Sequence, residues 1–138
     1  MGERGQIFVK STKVYIYTHW GGPELLQNVH AAMQWGRMHD EEYFTRALIQ
    51  EVAGPKSETG SGVGTEIHGD LDWPVVIVDH AAGTIGLGPS SYGCGEDYEK
   101  MITPVKTWTF EEFKKISDIE MVAAHVLGLD DSNNAENS

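Results

Sequence analysis

The residues most suited to chemistry form the run His19-Trp20-Gly21-Gly22, which follows an apolar, strand-like stretch and precedes Pro23. Proline suits the first position of a helix, and a glycine pair before a helix exposes backbone N–H groups that can hold an anion. His19 would donate to such an anion, and Trp20 would stack on a base. The alternative interpretation is a structural corner, since neither a G-x-G-x-x-G nor a P-loop pattern is present.

A second group consists of His68, Asp70 and Asp79. If the strands that carry them pair, these side chains would converge with His19 on a divalent metal, as in a metal-dependent hydrolase. The sequence contains no H-E-x-x-H pattern, and His-Gly-Asp is also common turn chemistry. A metal site and a pair of ordinary turns are therefore both open.

Two further features are weaker. The glycine-rich run 60–64 precedes a predicted strand rather than a helix, so it lacks the dipole of a phosphate loop and suggests a hairpin connection or a lid. Cys94 is followed by Glu96 and Asp97, which would raise the pKa of a thiol and oppose its use as a nucleophile. Neither feature predicts a catalytic residue.

The net charge of the chain is −11, from 21 acidic and 10 basic residues among 138. This charge repels phosphate backbones, so it disfavours nucleic-acid binding and anionic membranes, and it leaves a basic protein surface or a small ligand as partner. Acids arrayed at phosphate spacing would also mimic DNA. A single cysteine, no signal peptide and no apolar run of about 18 residues indicate a cytoplasmic protein without a membrane span.

The hydrophobic pattern predicts an α+β fold, with a mostly antiparallel sheet, an amphipathic helix pair on one face and a C-terminal helical segment. Strands are predicted at residues 6–10, 13–18, 65–68, 73–79, 84–87 and 102–108. The apolar 73–79 is expected at the centre, and the last strand, with Pro104, at an edge. Helices are predicted from Pro23 to Gly36, from Asp40 to Gly54, and after capping boxes at Thr109 and Ser117. Residues 1–129 form one domain, and 130–138 are expected to be disordered.

The stretch Val14-Tyr-Ile-Tyr-Thr-His-Trp-Gly-Gly22, followed by an amphipathic helix, resembles a family of small uncharacterised phage and prophage proteins. Similar features recur later in the chain, at 43–46, 60–64, 73–79 and 108–113. The resemblance covers most of residues 14–113. It implies a phage context, and it assigns no activity and no catalytic residue.

These observations lead to three hypotheses about function. The first is a phage-type accessory protein that binds a host or viral protein without catalysis, as an anti-defence inhibitor or a DNA mimic. The alternative is a small-molecule or nucleotide-binding protein that uses the His19-Trp20-Gly21-Gly22 turn, and the third is the metal-dependent hydrolase. No cofactor is predicted, and self-association is expected because small domains commonly form homo-oligomers.

Overall fold

The computed structural model describes residues 3–54, 60–90 and 97–128. Within these residues the strands are β1 (Gly5–Val9), β2 (Val14–Thr18), β3 (Ser61–Gly64), β4 (Val76–Asp79), β5 (Thr84–Leu87) and β6 (Lys106–Thr109). The helices are α1 (Leu25–Met33), α2 (Glu41–Ala53), α3 (Tyr98–Met101), α4 (Phe110–Lys114) and α5 (Ile119–Val126), and a 3-10 turn, Gly22–Glu24, precedes α1. Cys94 and the tail at 130–138 lie outside the described residues.

The six strands of the described residues form one sheet in the order β3-β2-β1-β4-β5-β6. Every neighbouring pair is antiparallel except β1 and β4, which are parallel. The α+β class is confirmed, as are the central place of β4 and the edge place of β6. Pro104 precedes β6, where its ring packs over Gly86 of β5 and where no ladder N–H is needed.

Alternation along the strands gives the sheet two buried faces. Ile7, Val9 and Ile16 point to the face covered by α1, α2, α4 and α5, which we call the helix face. Phe8 and Tyr15 point to the other face, which the segment 67–75 and α3 cover; we call it the loop face. The pair of helices predicted on one face is therefore confirmed. No helix of the described residues is both long and apolar enough to cross a membrane.

Two of the helix starts predicted from the sequence are confirmed by side-chain caps. Asp40 accepts a hydrogen bond from the backbone N–H of Tyr43 at the start of α2, and Thr109 and Glu112 form a reciprocal capping box. The last helix differs from the prediction, because its N-cap is Asp118 and not Ser117. The carboxylate of Asp118 accepts from Met121, so the helix begins one residue later than the capping-box pattern indicates.

The prediction of a strand at residues 65–68 is wrong, because the third strand lies at Ser61–Gly64. The reason is a side chain. The amide of Gln6, 1% exposed, donates to the carbonyl of Glu66 over 3.2 Å and accepts from the N–H of His68 over 2.9 Å. These are backbone groups that a neighbouring strand would otherwise satisfy, so the segment follows Gln6 rather than a ladder.

Candidate functional site

Trp20 is the most prominent side chain at one end of the sheet. It lies two residues after the end of β2 and is 64% exposed. Its ring nevertheless has a fixed position, because it meets the His19 ring edge-on with centroids 4.2 Å apart and lies over Gly60. A Cβ at Gly60 would come within 2.6 Å of Trp20 Cδ1, so this contact requires glycine. The indole is thus both solvent-accessible and held in place.

Tyr17 connects the two histidines that the sequence placed in separate hypotheses. Its hydroxyl and Nδ1 of His19 are 3.0 Å apart, and its ring lies 4.4 Å from the ring of His68. Burial is the main cause that raises the pKa of Tyr17, and the negative charge of Asp70 adds to it. The phenol therefore stays neutral and keeps its proton as a hydrogen-bond donor at physiological pH.

The main chain on both sides of this cluster is pinned to the sheet. The N–H of His19 donates to the carbonyl of Gly60 over 2.6 Å, which joins the end of β2 to the start of β3. Gln6 fixes the backbone of His68 from the loop face, as described above. We call the surface formed by Tyr17, His19, Trp20, His68 and strand β3 the Trp20 surface.

Strand β3 gives this surface an open edge. Gly62 and Gly64 pair with Tyr17 and Tyr15, so they lie on the loop face, and a Cβ at either glycine would meet open space. Within the described residues, no strand pairs with the outer edge of β3. Val63 of the same strand is 55% exposed. This edge therefore exposes backbone at the two glycines on the loop face and the apolar side chain of Val63, which pairs with Ile16, on the helix face.

Two shallow cavities flank the indole. One of about 240 Å³ is lined by Tyr17, His19, Trp20, Gly60 and Ser61. The other, of about 180 Å³, lies between Trp20, the 3-10 turn before α1 and the end of α2, with Glu24 and Val52 in its wall. Such a site offers an aromatic face for stacking and imidazole groups for hydrogen bonding.

An ion-pair cluster borders the Trp20 surface, and Asp70 is one of its members. Nη1 of Arg4 lies 3.1 Å from Asp70, and its Nε lies 3.2 Å from Asp72, whose carboxylate also accepts from the N–H of Arg4 over 2.9 Å. The hydrogen bond from the backbone of Arg4 is the main cause that lowers the pKa of Asp72. This cluster ties the segment 70–72 to the start of β1.

The glycine pair has a structural role. The N–H of Gly21 donates to Thr18 Oγ1 over 3.0 Å, and the N–H of Gly22 donates to the carbonyl of Glu3 over 2.7 Å. Gly22 is buried, and a Cβ there would lie 2.5 Å from Trp73. The donors that an anion site would need are already bonded, so Gly21 and Gly22 build the corner that presents His19 and Trp20.

The structure does not bring the three proposed metal ligands together. Asp70 pairs with Arg4, the residue before β1. Asp79 lies 3.5 Å from Lys10, the residue after the other end of β1. Six residues of extended chain separate the two sites by roughly 20 Å. Residues 3–54, 60–90 and 97–128 contain no group of three or more His, Cys, Asp or Glu side chains that could hold a metal ion.

Local roles account for part of the negative charge that suggested a DNA mimic. Some carboxylates cap helices or pair with arginine. The fold itself explains the positions of these charges, without any resemblance to the phosphates of DNA. These carboxylates are Asp40, Asp70, Asp72, Asp97, Glu112 and Asp118.

Sequence reasoning found His19 and Trp20 but missed Tyr17, Gln6 and Arg4. Tyr17 had a usable signal, because residues two apart on a strand share a face and Tyr17 precedes His19 by two. Gln6 and Arg4 act on residues 60 or more positions away, which no local pattern reveals. Comparison of the chain with protein-family models, curated proteins and solved structures finds no match.

Proposed function

We propose that this protein is an accessory protein that binds a host or viral protein through the Trp20 surface, and that this surface acts by binding and not by catalysis. The observation that carries the proposal is the indole of Trp20, 64% exposed yet fixed against His19 and Gly60. Tryptophan and tyrosine are enriched among the residues that dominate binding energy. A ring that is already positioned loses little conformational entropy on binding.

The charge and the resemblance indicate the kind of partner. A chain of net charge −11 attracts a basic protein surface and accelerates the encounter with it. The resemblance to phage and prophage proteins supports a partner in the cytoplasm of an infected cell, and inhibition of a host defence protein is the form of activity that this context favours. The open edge of β3 supplies backbone groups that a partner segment can pair with.

The test is affinity capture from cells that express the tagged protein, followed by measurement of the Kd with the purified partner. Trp20→Ala removes the ring, and Val105→Ala removes an exposed apolar side chain (71% exposed) beside β6, at the opposite edge of the sheet. We expect one protein to co-purify with the wild type and with Val105→Ala. Its Kd should rise about 30-fold or more for Trp20→Ala, the effect of losing a binding hot spot. An unchanged Kd for Trp20→Ala would contradict the proposal.

A nucleotide is the second candidate ligand, and the cavity beside Tyr17, His19 and Trp20 favours it. An aromatic face contributes about 1–3 kcal/mol to the binding of a stacked base. The cavity volume of about 240 Å³ is below the roughly 300 Å³ at which ligand pockets begin, which is why a protein partner ranks first. A rise in thermal midpoint with a nucleotide, lost in Trp20→Ala, would reverse this order.

A further inference from the structure

A serine and a histidine lie in hydrogen-bonding contact at the opposite end of the sheet from the Trp20 surface. Strands β1 and β4 are parallel neighbours, so the turns that follow them emerge side by side, and the N–H of Lys10 donates to the carbonyl of Val78. Ser11 lies in the first turn and His80 in the second. Ser11 Oγ is 3.1 Å from His80 Nδ1, and Ser11 is exposed to solvent.

The other ring nitrogen of His80 fixes the direction of that hydrogen bond. His80 Nε2 lies 2.9 Å from the carbonyl oxygen of Met38, in the connection between α1 and α2. A carbonyl only accepts, so Nε2 carries the proton in the neutral ring and Nδ1 has a free lone pair. Ser11 therefore donates its hydroxyl proton to Nδ1. This is the arrangement of a nucleophile, a base and a group that orients the base.

Packing holds the imidazole in this orientation. The rings of Phe44 and Phe110 meet the ring of His80 nearly at right angles, with centroids 5.9 Å and 5.3 Å away. Both phenylalanines belong to the buried core of the helix face. The base is thus supported by a rigid part of the fold, although its partner Ser11 lies on the surface.

Ser11 lines a cavity of about 490 Å³ together with Lys10, Glu41, Asp79, Ala81 and Ala82. The two alanines leave room for a short acyl group beside the nucleophile. Lys10 on the wall of this cavity carries an ammonium, 3.5 Å from Asp79, that can attract an oxygen that becomes negative during attack.

We propose that Ser11 and His80 form a nucleophile–base pair that hydrolyses a small acyl ester. Ser11 Oγ bonds to the ester carbonyl carbon while its proton passes to His80 Nδ1. The bond from that carbon to the alcohol oxygen then breaks, and the alcohol leaves with the proton from His80. Water attacks the acyl-serine in the same way, which releases the carboxylic acid and restores Ser11.

The test is covalent labelling of the full-length protein with a fluorophosphonate, a reagent for activated serines. Ser11 Oγ displaces fluoride from phosphorus, and mass spectrometry locates the adduct. We expect one adduct per chain, on Ser11, and none on any residue of Ser11→Ala. Ser117→Ala removes another exposed serine and should label at the wild-type rate.

His80→Gln keeps a polar side chain but removes the base, so the labelling rate should fall about 100-fold or more while the thermal midpoint shows that the variant is folded. Release of nitrophenolate from p-nitrophenyl acetate should follow the same order among the variants. If His80→Gln does not fold, the wild type and Ser11→Ala decide the question. A wild type that takes no label, or that takes it equally on several serines, overturns the proposal. Labelling needs no partner protein, so that result would leave the role of Trp20 untouched.

Discussion

The helix face and the loop face of the sheet are both buried, but by different means. On the helix face, four helices cover a continuous core that includes Phe44, Leu48 and Phe113. On the loop face, irregular chain and one short helix cover a smaller core around Leu71 and Met101. Hydrophobic packing holds the first cover in place, whereas hydrogen bonds to the side chain of Gln6 in β1 and to the backbone of Arg4 just before it hold much of the second.

The difference between the two covers determines where binding groups can lie in so small a domain. Helices that bury one stripe against a sheet leave little of the sheet accessible, so Ile16 of β2 is 1% exposed. The loop cover ends before β3, and there Tyr17 of β2 and His19, the residue after that strand, reach the surface. The helix face therefore supplies rigidity, and the margin of the loop face supplies the Trp20 surface.

Matched leucine truncations test this comparison most strongly. Leu48 on the helix face and Leu71 on the loop face are 0% and 3% exposed. Leu48→Ala should lower the free energy of unfolding by about 4–5 kcal/mol, and Leu71→Ala by about 2–3 kcal/mol, because irregular chain can move into the space and helices cannot. Urea titration measures both values. Equal losses would show that the two covers are equally rigid.

Much of the fold was predictable because local chemistry encodes it. The run Val75-Val-Ile-Val78 indicates a central strand, and Asp40 and Thr109 mark helix starts by their caps. The place of β3 was not predictable. Its sequence, Ser-Gly-Val-Gly, has low strand propensity, and pairing with β2 overrides that propensity.

The candidate sites also contain a part that the sequence could predict and a part that it could not. His19 and Trp20 stand out in the sequence because a strand ends there in a glycine corner. The partners of these residues depend on tertiary contacts, as does the contact of Ser11 with His80, 69 positions apart. A pattern within one segment can mark a side chain as unusual, but only the topology of the sheet decides what it meets.

Substitution of Gln6 tests whether hydrogen bonds hold the loop cover. Gln6→Met keeps the length of the side chain but leaves the carbonyl of Glu66 and the N–H of His68 without their partner. The loss of stability should be about 1–3 kcal/mol. Gln34→Met, which removes an exposed amide bonded to its own helix, is the matched control and should change stability by less than about 0.5 kcal/mol.

The same variant has a local readout at the Trp20 surface. In the wild type, the Tyr17 ring should shift the proton resonances of His68, because the two centroids lie 4.4 Å apart. In Gln6→Met these resonances should move toward the values of an unstructured histidine, while those of Leu48 stay in place. Unchanged His68 resonances would mean that the loop cover does not depend on Gln6.

The smallest expected effect concerns Asp72, whose contacts with Arg4 attach the loop cover to β1 at its other end. These contacts lower the pKa of Asp72 in the folded state, so they stabilise the fold above the unfolded pKa of about 3.9, and that stability is lost as the pH falls through the lower folded value. Asp72→Asn should be less stable than the wild type at pH 7. The two unfolding free energies should converge as the pH is lowered from about 4 toward 2.

Urea titration at several pH values measures this convergence, and Arg4→Met separates its causes. The backbone N–H of Arg4 still donates to Asp72 in that variant, and this bond is the largest cause of the lowered pKa. Arg4→Met should therefore retain part of the pH dependence, whereas Asp72→Asn loses the contribution of this carboxyl completely. Asp40, whose pKa is lowered by its cap on α2, provides a background of the same sign in every variant. Parallel curves for the wild type and Asp72→Asn would show that the carboxylate of Asp72 does not hold the loop cover, and that its apolar contacts suffice.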